Sequence, residues 1–390
     1  MRRPSAVLLL AALAAAACQR QLPQLPKLQL PDPPPAAVQS VIFMIGDAGK
    51  ANERRDPVFQ VLRADVERWS AALARDSAVM VLFLGDIIYP EGMHPREDQY
   101  WASDSAAVQT QVNIVAGPNA RRFGAIGYFM AGNHDWGNAR DHTGVRRLQN
   151  LEEFLDRRRA EGIHVRLQPK AGEAGPAVID YGATRLLLFD TAWWLLAREE
   201  ELKQPVTLRT QEAIRSAGAR NVVVAAHHPF RSASPHGGLI PFWKGIGLRY
   251  VLNRSGAVLQ DLNSTAYRDL LAMMRDAFAL GRPLVFAGGH DHSMQVIEEW
   301  EEQRAPRYSL VIGSASKSSP VGHFEGMRYR TRAPGYMRMI TLRDGTVQLF
   351  VIAAPDEDYL RCEVEDPVQL QACMARMTAA FRMEYALRLK

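Results

Sequence analysis

Short apolar runs recur along the chain, and five of them end abruptly in a polar turn. They occupy residues 41–45, 79–84, 126–130, 222–226 and 284–287. Runs of this length that are rich in Val, Ile, Leu, Phe and Met and are bounded by turn residues are typical of buried β-strands. Each run therefore predicts a strand whose carboxyl end passes directly into a loop.

Between these strands, apolar residues three and four positions apart indicate amphipathic helices. Such helices are predicted over residues 57–75, 145–160 and 265–279. Strands that alternate with helices are typical of a layered α/β fold, in which binding sites gather at the carboxyl ends of the strands. The loops that follow the strands can therefore converge on one edge of the fold.

The last part of the pattern indicates additional strands and then a helix. The strands are predicted over residues 307–312, 336–342 and 347–352. Asp344-Gly345 is typical of the turn of a β-hairpin, and the residues after Asp366 predict a helix. We therefore expect one domain over residues 38–354 and a helical tail over residues 355–390.

The amino-terminal residues have the pattern of an export signal. Arg2 and Arg3 provide positive charge, and the apolar stretch at residues 6–17 is shorter than the roughly 20 residues that cross a bilayer as a helix. Small residues then precede Cys18, and the sequence Ala-Ala-Ala-Cys resembles the lipobox of bacterial lipoproteins. We expect a signal peptide over residues 1–17 and lipidation of Cys18; the alternative is ordinary secretory cleavage that leaves this cysteine as a thiol.

The proline-rich composition of residues 18–37 predicts an extended linker between the lipid anchor and the domain. These features place the domain in a bacterial cell envelope, in the periplasm or at the outer-membrane surface. In such an oxidising compartment Cys362 and Cys373 can form a disulfide if the backbone brings them together, or they can remain two free thiols.

The overall composition is that of an ordinary soluble globular protein, with 47% hydrophobic and 23% charged residues. Lys and Arg number 47 against 42 Asp and Glu, and this small excess favours anionic ligands only weakly. Arg157, Arg158 and Arg159 lie in a helical pattern, where a solvated helix face explains them, so nucleic-acid binding is not indicated.

Side chains with metal-binding donor atoms follow all five strands, in the segments GDAG, GDIIY, GNHD, AAHH and GHDH. The candidate ligands are Asp47, Asp86, Tyr89, Asn133, His227, His290 and His292. Carboxylate and phenolate oxygens suit hard cations, whereas imidazole nitrogen suits zinc, iron or manganese. Gly-Asp after a strand is common turn chemistry, whereas the two imidazoles of GHDH, one residue apart, are a stronger signal. The joint occurrence of all five segments predicts a transition-metal site.

The order GDxG, GDxxY, GNH[DE], VxxH and GHxH resembles the purple acid phosphatase branch of the calcineurin-like metallophosphoesterases, and in particular its small tartrate-resistant type. The resemblance covers residues 46–292. Broader metallophosphoesterases carry a His at the position of Gly49 and an Asp at the position of Tyr89, so these two residues select the branch. The resemblance implies an α/β layered fold, a two-sheet β-sandwich flanked by helices.

The resemblance also implies roles for the candidate ligands. One metal ion would be bound by Asp47, Tyr89 and His292, the other by Asn133, His227 and His290, and Asp86 would bridge the two. Carboxylate and phenolate donors favour Fe(III), whereas an amide oxygen with two imidazoles suits divalent Fe, Zn or Mn. A tyrosinate bound to iron would colour the protein.

In the family, a metal-bound hydroxide attacks phosphorus, and a nearby imidazole contacts the substrate or protonates the leaving group. His134 and His236 match those imidazole positions, whereas His228 beside a ligand is at least as well explained by packing or hydrogen bonding. The insertion at residues 239–262 is either a lid or a packed excursion.

We therefore expect an exported metallophosphoesterase, an acid phosphatase that hydrolyses small phosphate monoesters. One alternative is a phosphodiesterase or nucleotide hydrolase of the same superfamily, with room beside the ions for a second ester substituent. Another is a metal-binding envelope lipoprotein that has no catalytic activity. The natural substrate and the identity of the divalent ion stay open at this point.

Overall fold

A computed structural model describes residues 30–138, 144–197, 199–237, 258–300 and 302–390. The predicted signal peptide, Cys18, most of the linker and residues 239–257 of the insertion lie outside the described residues. Within the described part of the chain, every helix is too short or too polar to span a membrane.

Two seven-stranded sheets form the centre of the described structure. The first sheet contains, in spatial order, β14 (Arg382–Arg388), β13 (Val347–Ala353), β12 (Gly335–Leu342), β1 (Val38–Ile45), β2 (Val79–Phe83), β3 (Ile126–Phe129) and β4 (Val165–Leu167). The second contains β11 (Met327–Thr331), β9 (Met294–Glu298), β10 (Tyr308–Ile312), β8 (Val285–Gly288), β7 (Asn221–Ala225), β6 (Thr184–Leu188) and β5 (Ala177–Tyr181).

Helices cover the outer faces of both sheets. They are α1 (Pro57–Leu73), α2 (Trp101–Val112), α3 (Pro118–Arg122), α4 (Val145–Ala160), α5 (Thr191–Leu196), α6 (Glu200–Arg215), α7 (Thr265–Phe278) and α8 (Pro367–Ala380). The helices predicted from periodicity correspond to α1, α4 and α7 within a few residues at their ends.

Alternation along the central strands explains why the sheets stack. In β1, Val41 and Phe43 pack towards the helices, whereas Ile42 and Met44 pack in the cluster shared with the second sheet. In β7, Val223 likewise belongs to the cluster between the sheets. Because successive side chains of a strand point to opposite faces, one buried strand supplies two apolar layers. The predicted two-sheet sandwich flanked by helices is confirmed.

Parallel pairing determines where the loops lie. β1, β2 and β3 are parallel neighbours in the first sheet, and β7 and β8 are parallel neighbours in the second. The carboxyl ends of parallel neighbours share one sheet edge, so the loops after these strands are brought together. These are the loops that carry the predicted ligands.

The carboxyl-terminal tail differs from its prediction. The expected helix after Asp366 is present as α8, but the tail is not wholly helical, because β14 follows and pairs antiparallel with β13. The sequence of β14 has only weak alternation, and it is the unpaired edge of β13 that makes a strand favourable there. Cys362 and Cys373 form a disulfide with a Cα–Cα distance of 6.0 Å, which decides between the two states that the sequence left open.

The end of the predicted linker also departs from expectation, because residues 30–37 pack on the domain instead of forming a spacer. Leu30 packs against the helix-covered apolar cluster, and Asp32 forms ion pairs with Arg68 of α1 and Arg338 of β12. The guanidinium group of Arg338 is buried and pairs with both Asp32 and Asp65. The carboxylate of Asp32 thus lowers the free-energy cost of burying this positive charge.

Asp65 is the central acceptor of this ion-pair network. Its carboxylate accepts from Arg338 at 2.6 Å and from the hydroxyl of Tyr336 at 3.0 Å. We expect Asp65→Ala to lower the free energy of unfolding by about 3 kcal/mol, because it leaves a buried guanidinium group short of a partner. Asp276→Ala is the matched control, because it breaks an ion pair in which both side chains are exposed. It should lower the free energy of unfolding by at most about 1 kcal/mol. Equal melting temperatures for the two variants would contradict the prediction.

Candidate metal centre

The predicted ligands come from loops at one edge of the sandwich. Asp47 follows β1, Asp86 and Tyr89 follow β2, and Asn133 follows β3. From the second sheet, His227 follows β7, while His290 and His292 lie between β8 and β9. The structure brings all of these side chains into one continuous set of contacts.

One group of contacts surrounds Tyr89. Its hydroxyl donates to Asp47 Oδ1 at 3.0 Å and lies 3.4 Å from His292 Nε2. His292 Nε2 is in turn 3.3 Å from Asp47 Oδ1. These three residues are the ones predicted to bind the first ion.

A second group surrounds His227. Its Nε2 lies 3.0 Å from Asn133 Oδ1, 3.2 Å from His290 Nδ1 and 3.3 Å from Asp86 Oδ1. Two donor atoms that bind one zinc-sized ion at about 2.1 Å stand roughly 3.0–3.4 Å apart for angles between 90° and tetrahedral. The observed spacings therefore fit a set of ligands to a single ion.

Asp86 connects the two groups. Ligand atoms of Asp47, Asp86 and His227 all lie within 4.8 Å of one another, although Asp47 belongs to the first group and His227 to the second. Asp86 therefore lies where one carboxylate would be shared between the two groups of ligands.

Hydrogen bonds orient the imidazoles towards the centre. Nδ1 of His227 donates to the carbonyl of Leu84 at 2.9 Å, and Nε2 of His290 donates to the carbonyl of Gln260 at 2.9 Å. Nε2 of His227 then faces Nδ1 of His290 at 3.2 Å and the side-chain oxygen of Asn133 at 3.0 Å. When both rings are neutral these two nitrogens carry lone pairs, so a metal ion placed among them would be bound by all three donor atoms.

The charges of the cluster lead to the same requirement. Asp47 and Asp86 are 0% and 1% exposed, and within the described ranges neither forms an ion pair with a lysine or arginine. Burial lowers the pKa of His227, but Asp86 and Asp47 more than offset this effect, so the pKa is raised. Burying carboxylates without a compensating cation is expensive. The cluster therefore attracts positive charge.

Tyr89 depends on a cation most directly. Burial and the adjacent charges of Asp47 and Asp86 raise the pKa of its phenol well above the usual value. Without a cation the group stays protonated and donates to Asp47, whereas a bound cation would favour the phenolate. The donor set and its spacing thus fit two metal ions.

The backbone is strained at three of the candidate ligands. Asp47, Asp86 and His290 have φ angles of 58°, 52° and 65°, in the left-handed region that residues other than glycine seldom adopt. Such conformations cost about 1–3 kcal/mol each and are concentrated at functional sites.

Close approaches explain the glycines of two motifs. A Cβ at Gly49 would lie 2.6 Å from Cδ2 of Tyr89, and one at Gly132 would lie 2.3 Å from Oδ1 of Asp86. Gly49 therefore leaves space for the ring of Tyr89.

The two predicted catalytic histidines lie beside different groups of ligands. His134 has its ring centre 4.5 Å from that of Tyr89, and its Nε2 is 3.9 Å from Asp86 Oδ2. His236 has its ring centre 4.1 Å from that of His290, and its Nδ1 donates to Asp261 Oδ1 at 2.6 Å. Both side chains are about a quarter exposed, so each can reach a molecule in solvent.

His228 lies in the same cluster as His227 and His290, but both of its ring nitrogens are engaged. Nδ1 bonds to the hydroxyl of Thr191 at 2.8 Å and Nε2 to the side-chain oxygen of Gln260 at 2.7 Å. Burial and the neighbouring His227 lower its pKa to about 3, so the ring is neutral. A packing and hydrogen-bonding role fits this residue better than that of a ligand.

Several residues of the site carry no motif of their own. Asp135 accepts from the backbone N–H of Ile87 at 2.9 Å and of Gly132 at 2.8 Å, and so ties together the loops after β2 and β3. Burial and the charge of Asp86 raise the pKa of Asp135 to about 7. The only sequence signal for Asp135 is its place as the last residue of the GNHD segment, and no sequence signal identifies Asp261.

No family model matches the sequence, and no curated protein matches it either. Among solved structures, the chain is similar to GAP50, the anchor in the inner membrane complex of Plasmodium, with a TM-score of 0.53 and 13% identity over 87% of this chain and 95% of that one. It is also similar to the purple acid phosphatase PPD1 from yellow lupin (Lupinus luteus) seeds, with a TM-score of 0.51 and 12% identity over 80% and 51% of the two chains.

A third similar structure is PhoD, with a TM-score of 0.50 and 11% identity over 84% of this chain and 68% of that one. Identities this low show a common fold and leave activity to be argued from the site. The chain therefore has a metallophosphoesterase-like fold, similar to that of purple acid phosphatase and PhoD.

Proposed function

We propose that the protein is a metal-dependent phosphatase of the purple acid phosphatase type, which hydrolyses phosphate monoesters at a two-metal site. The observation that carries this proposal is the convergence of seven donor side chains at ligand-to-ligand distances. The similarity of the fold to that of a purple acid phosphatase supports it.

Each metal would be held by a different set of donors. Asp47, Tyr89 and His292 form the harder set, which suits Fe(III), while Asn133, His227 and His290 suit divalent Fe, Zn or Mn. Asp86 would bridge the two. When bound, such a pair of ions generates hydroxide from water and stabilises the attacking and leaving oxygens of a phosphoryl group.

The protein's own residues would bind the substrate and move the proton. The buried carboxylate of Asp261 orients His236 and stabilises the positive charge of its protonated ring, so His236 is suited to protonate the leaving alkoxide. The Nδ1 of His134 donates to the carbonyl of Pro90 at 2.6 Å, so in the protonated ring the Nε2–H would be the group that donates to a phosphoryl oxygen.

If His236 protonates the leaving group, the loss of activity on substituting it should depend on how good that leaving group is. In His236→Asn, we expect kcat for an alkyl phosphate such as glycerol phosphate to fall about a hundredfold, because an alkoxide leaves poorly without a proton. With p-nitrophenyl phosphate, whose phenolate is stable, the loss should be much smaller. His134→Asn is the matched control, with similar losses on both substrates. Equal losses on both substrates in His236→Asn would rule out its role as the acid.

Hydrolysis of a monoester and a diester separates the proposal from its enzymatic alternative. We expect kcat/KM for p-nitrophenyl phosphate to exceed that for bis(p-nitrophenyl) phosphate by about tenfold or more. The reverse preference would favour a phosphodiesterase or nucleotide hydrolase. A metal-replete protein inactive on a broad panel of phosphoesters would favour a metal-binding lipoprotein without catalytic activity.

We also infer that the protein is exported and anchored to a bacterial membrane through a lipid on Cys18. The positive, apolar and small-residue pattern of residues 1–18 supports this inference. Cys18→Ser should move the protein from the membrane fraction to the soluble fraction of fractionated cells. An unchanged distribution would contradict lipid anchoring.

A further inference from the structure

We propose that Lys317 binds a phosphoryl oxygen of the substrate and so selects the dianion of a phosphate monoester over a diester. The inference rests on the proposed function, because it assigns a substrate class to the same site. Lys317 belongs to no motif of the predicted metal centre, and it lies in the segment that follows β10.

Residues on both sides of Lys317 are hydrogen-bonded to candidate ligands. On one side, the hydroxyl of Ser316 donates to the carbonyl of Asp47 at 2.5 Å. On the other, the N–H of Ser319 donates to the carbonyl of His292 at 2.7 Å, and its hydroxyl lies 3.3 Å from Nδ1 of His292. The segment therefore holds Lys317 at a defined place relative to the first group of ligands.

The ammonium group of Lys317 reaches the rim of the centre. Its Nζ lies 3.1 Å from the ring centre of Tyr89, whose ring also contacts His134 edge-on. The charges of Asp86 and Asp47 attract it, yet both carboxylates are beyond ion-pair distance. Lys317 therefore adds a positive charge beside the predicted ligands without belonging to them.

The hydrogen-bonding capacity of this group is unused by the protein. An ammonium group has three N–H donors, and burying it partly is costly unless those donors find acceptors. Within the described residues, no hydrogen bond or ion pair to the ammonium of Lys317 is formed, although the residue is half-buried. An anionic ligand at the centre would supply the missing acceptor.

The chemistry of phosphate esters identifies the ligand. A monoester has three non-bridging oxygens and up to two negative charges, whereas a diester has two such oxygens and one charge. A cation that supplements two metal ions is best matched by the third oxygen of a monoester. In a diester, the second ester substituent takes the place of that oxygen and would leave the ammonium without an acceptor.

Two substitutions test the assignment. Lys317→Met retains the length of the side chain without its charge, and Lys317→Arg retains the charge. Lys390→Met is the matched control, because Lys390 bonds to Asn221 at the amino end of β7, away from the loop that carries His227. Metal content is measured for every variant alongside the kinetics.

We expect Lys317→Met to lower kcat/KM for p-nitrophenyl phosphate about ten- to thirtyfold and to weaken inhibition by inorganic phosphate about tenfold, the effect of losing one charge-assisted hydrogen bond. Turnover of bis(p-nitrophenyl) phosphate and the metal content should stay within about twofold of wild type, because neither depends on that bond. Lys317→Arg should recover part of the loss, and Lys390→Met should resemble wild type.

Equal losses on both esters, no loss on either, or loss of metal from Lys317→Met would overturn the assignment. A wild-type protein that hydrolyses neither ester would instead refute the proposed function. In that case calorimetry of inorganic phosphate binding to the metal-loaded protein still decides the role of Lys317. Weaker binding to Lys317→Met supports the assignment, and unchanged binding overturns it.

Discussion

Asp86→Asn is expected to lower phosphatase kcat by about a thousandfold or more, because the substitution removes the carboxylate that would hold both ions. The side chain is buried, and its Oδ1 lies 3.3 Å from His227 Nε2 and accepts the backbone N–H of His134 at 3.1 Å. An amide of the same size has only one oxygen and no negative charge. The variant should therefore also contain less metal than wild type, and both effects are measured on the same purified sample.

Asp104→Asn is a suitable control for this substitution. Asp104 is a buried aspartate in α2 whose carboxylate bonds to His94 at 2.7 Å and to none of the candidate ligands. Its variant should retain wild-type metal content and most of the activity. An Asp86→Asn or Asp86→Ala protein with full phosphatase activity would eliminate the proposed mechanism.

Removal of metal is the second change with a large expected effect. Dialysis against a chelator should abolish phosphatase activity, and addition of iron with zinc or manganese should restore it. The melting temperature should fall as well, because Asp47 and Asp86 are left buried without a compensating cation. A metal present at a hundredfold excess over its dissociation constant stabilises the folded state by about 2.7 kcal/mol.

The Asp86→Asn variant controls for effects of the chelator on the rest of the protein. If the ions bind where the ligands converge, the chelator should lower the melting temperature of this variant less than that of wild type. Activity that survives exhaustive chelation, with no change in melting temperature, would contradict a metal-dependent reaction.

The strands and candidate ligands that could be predicted are those with a strong signal in the local sequence. Five strands are buried on both faces, namely β1, β2, β3, β7 and β8. The sequence of each is therefore a continuous apolar run that ends in a turn. The candidate ligands follow directly after these ends, and short motifs therefore identify them as candidates. The convergence of the loops could be expected because parallel strands share an edge.

Elements that were not predicted depend on partners distant in sequence. β5 is an edge strand with a partly exposed pattern, and α6 contains Pro205 together with a strongly charged first turn. β14 needs the open edge of β13. Local propensity alone is weak evidence for segments of this kind.

The same reasoning separates the residues of the site. Asp261 reaches His236 across 25 positions in the chain, and Lys317 reaches Tyr89 across a longer distance in the sequence. Neither residue lies at the end of a predicted strand or in a recognisable spacing. Only the assembled fold shows that these side chains adjoin the predicted centre.

Metal analysis combined with a visible absorption spectrum of the purified protein tests the two-metal centre most directly. We predict two metal ions per chain, at least one of them iron, and an absorption band from Tyr89 bound to that iron that disappears in Tyr89→Phe. A protein that holds no stoichiometric metal, or one whose iron gives the same spectrum after this substitution, would contradict the account.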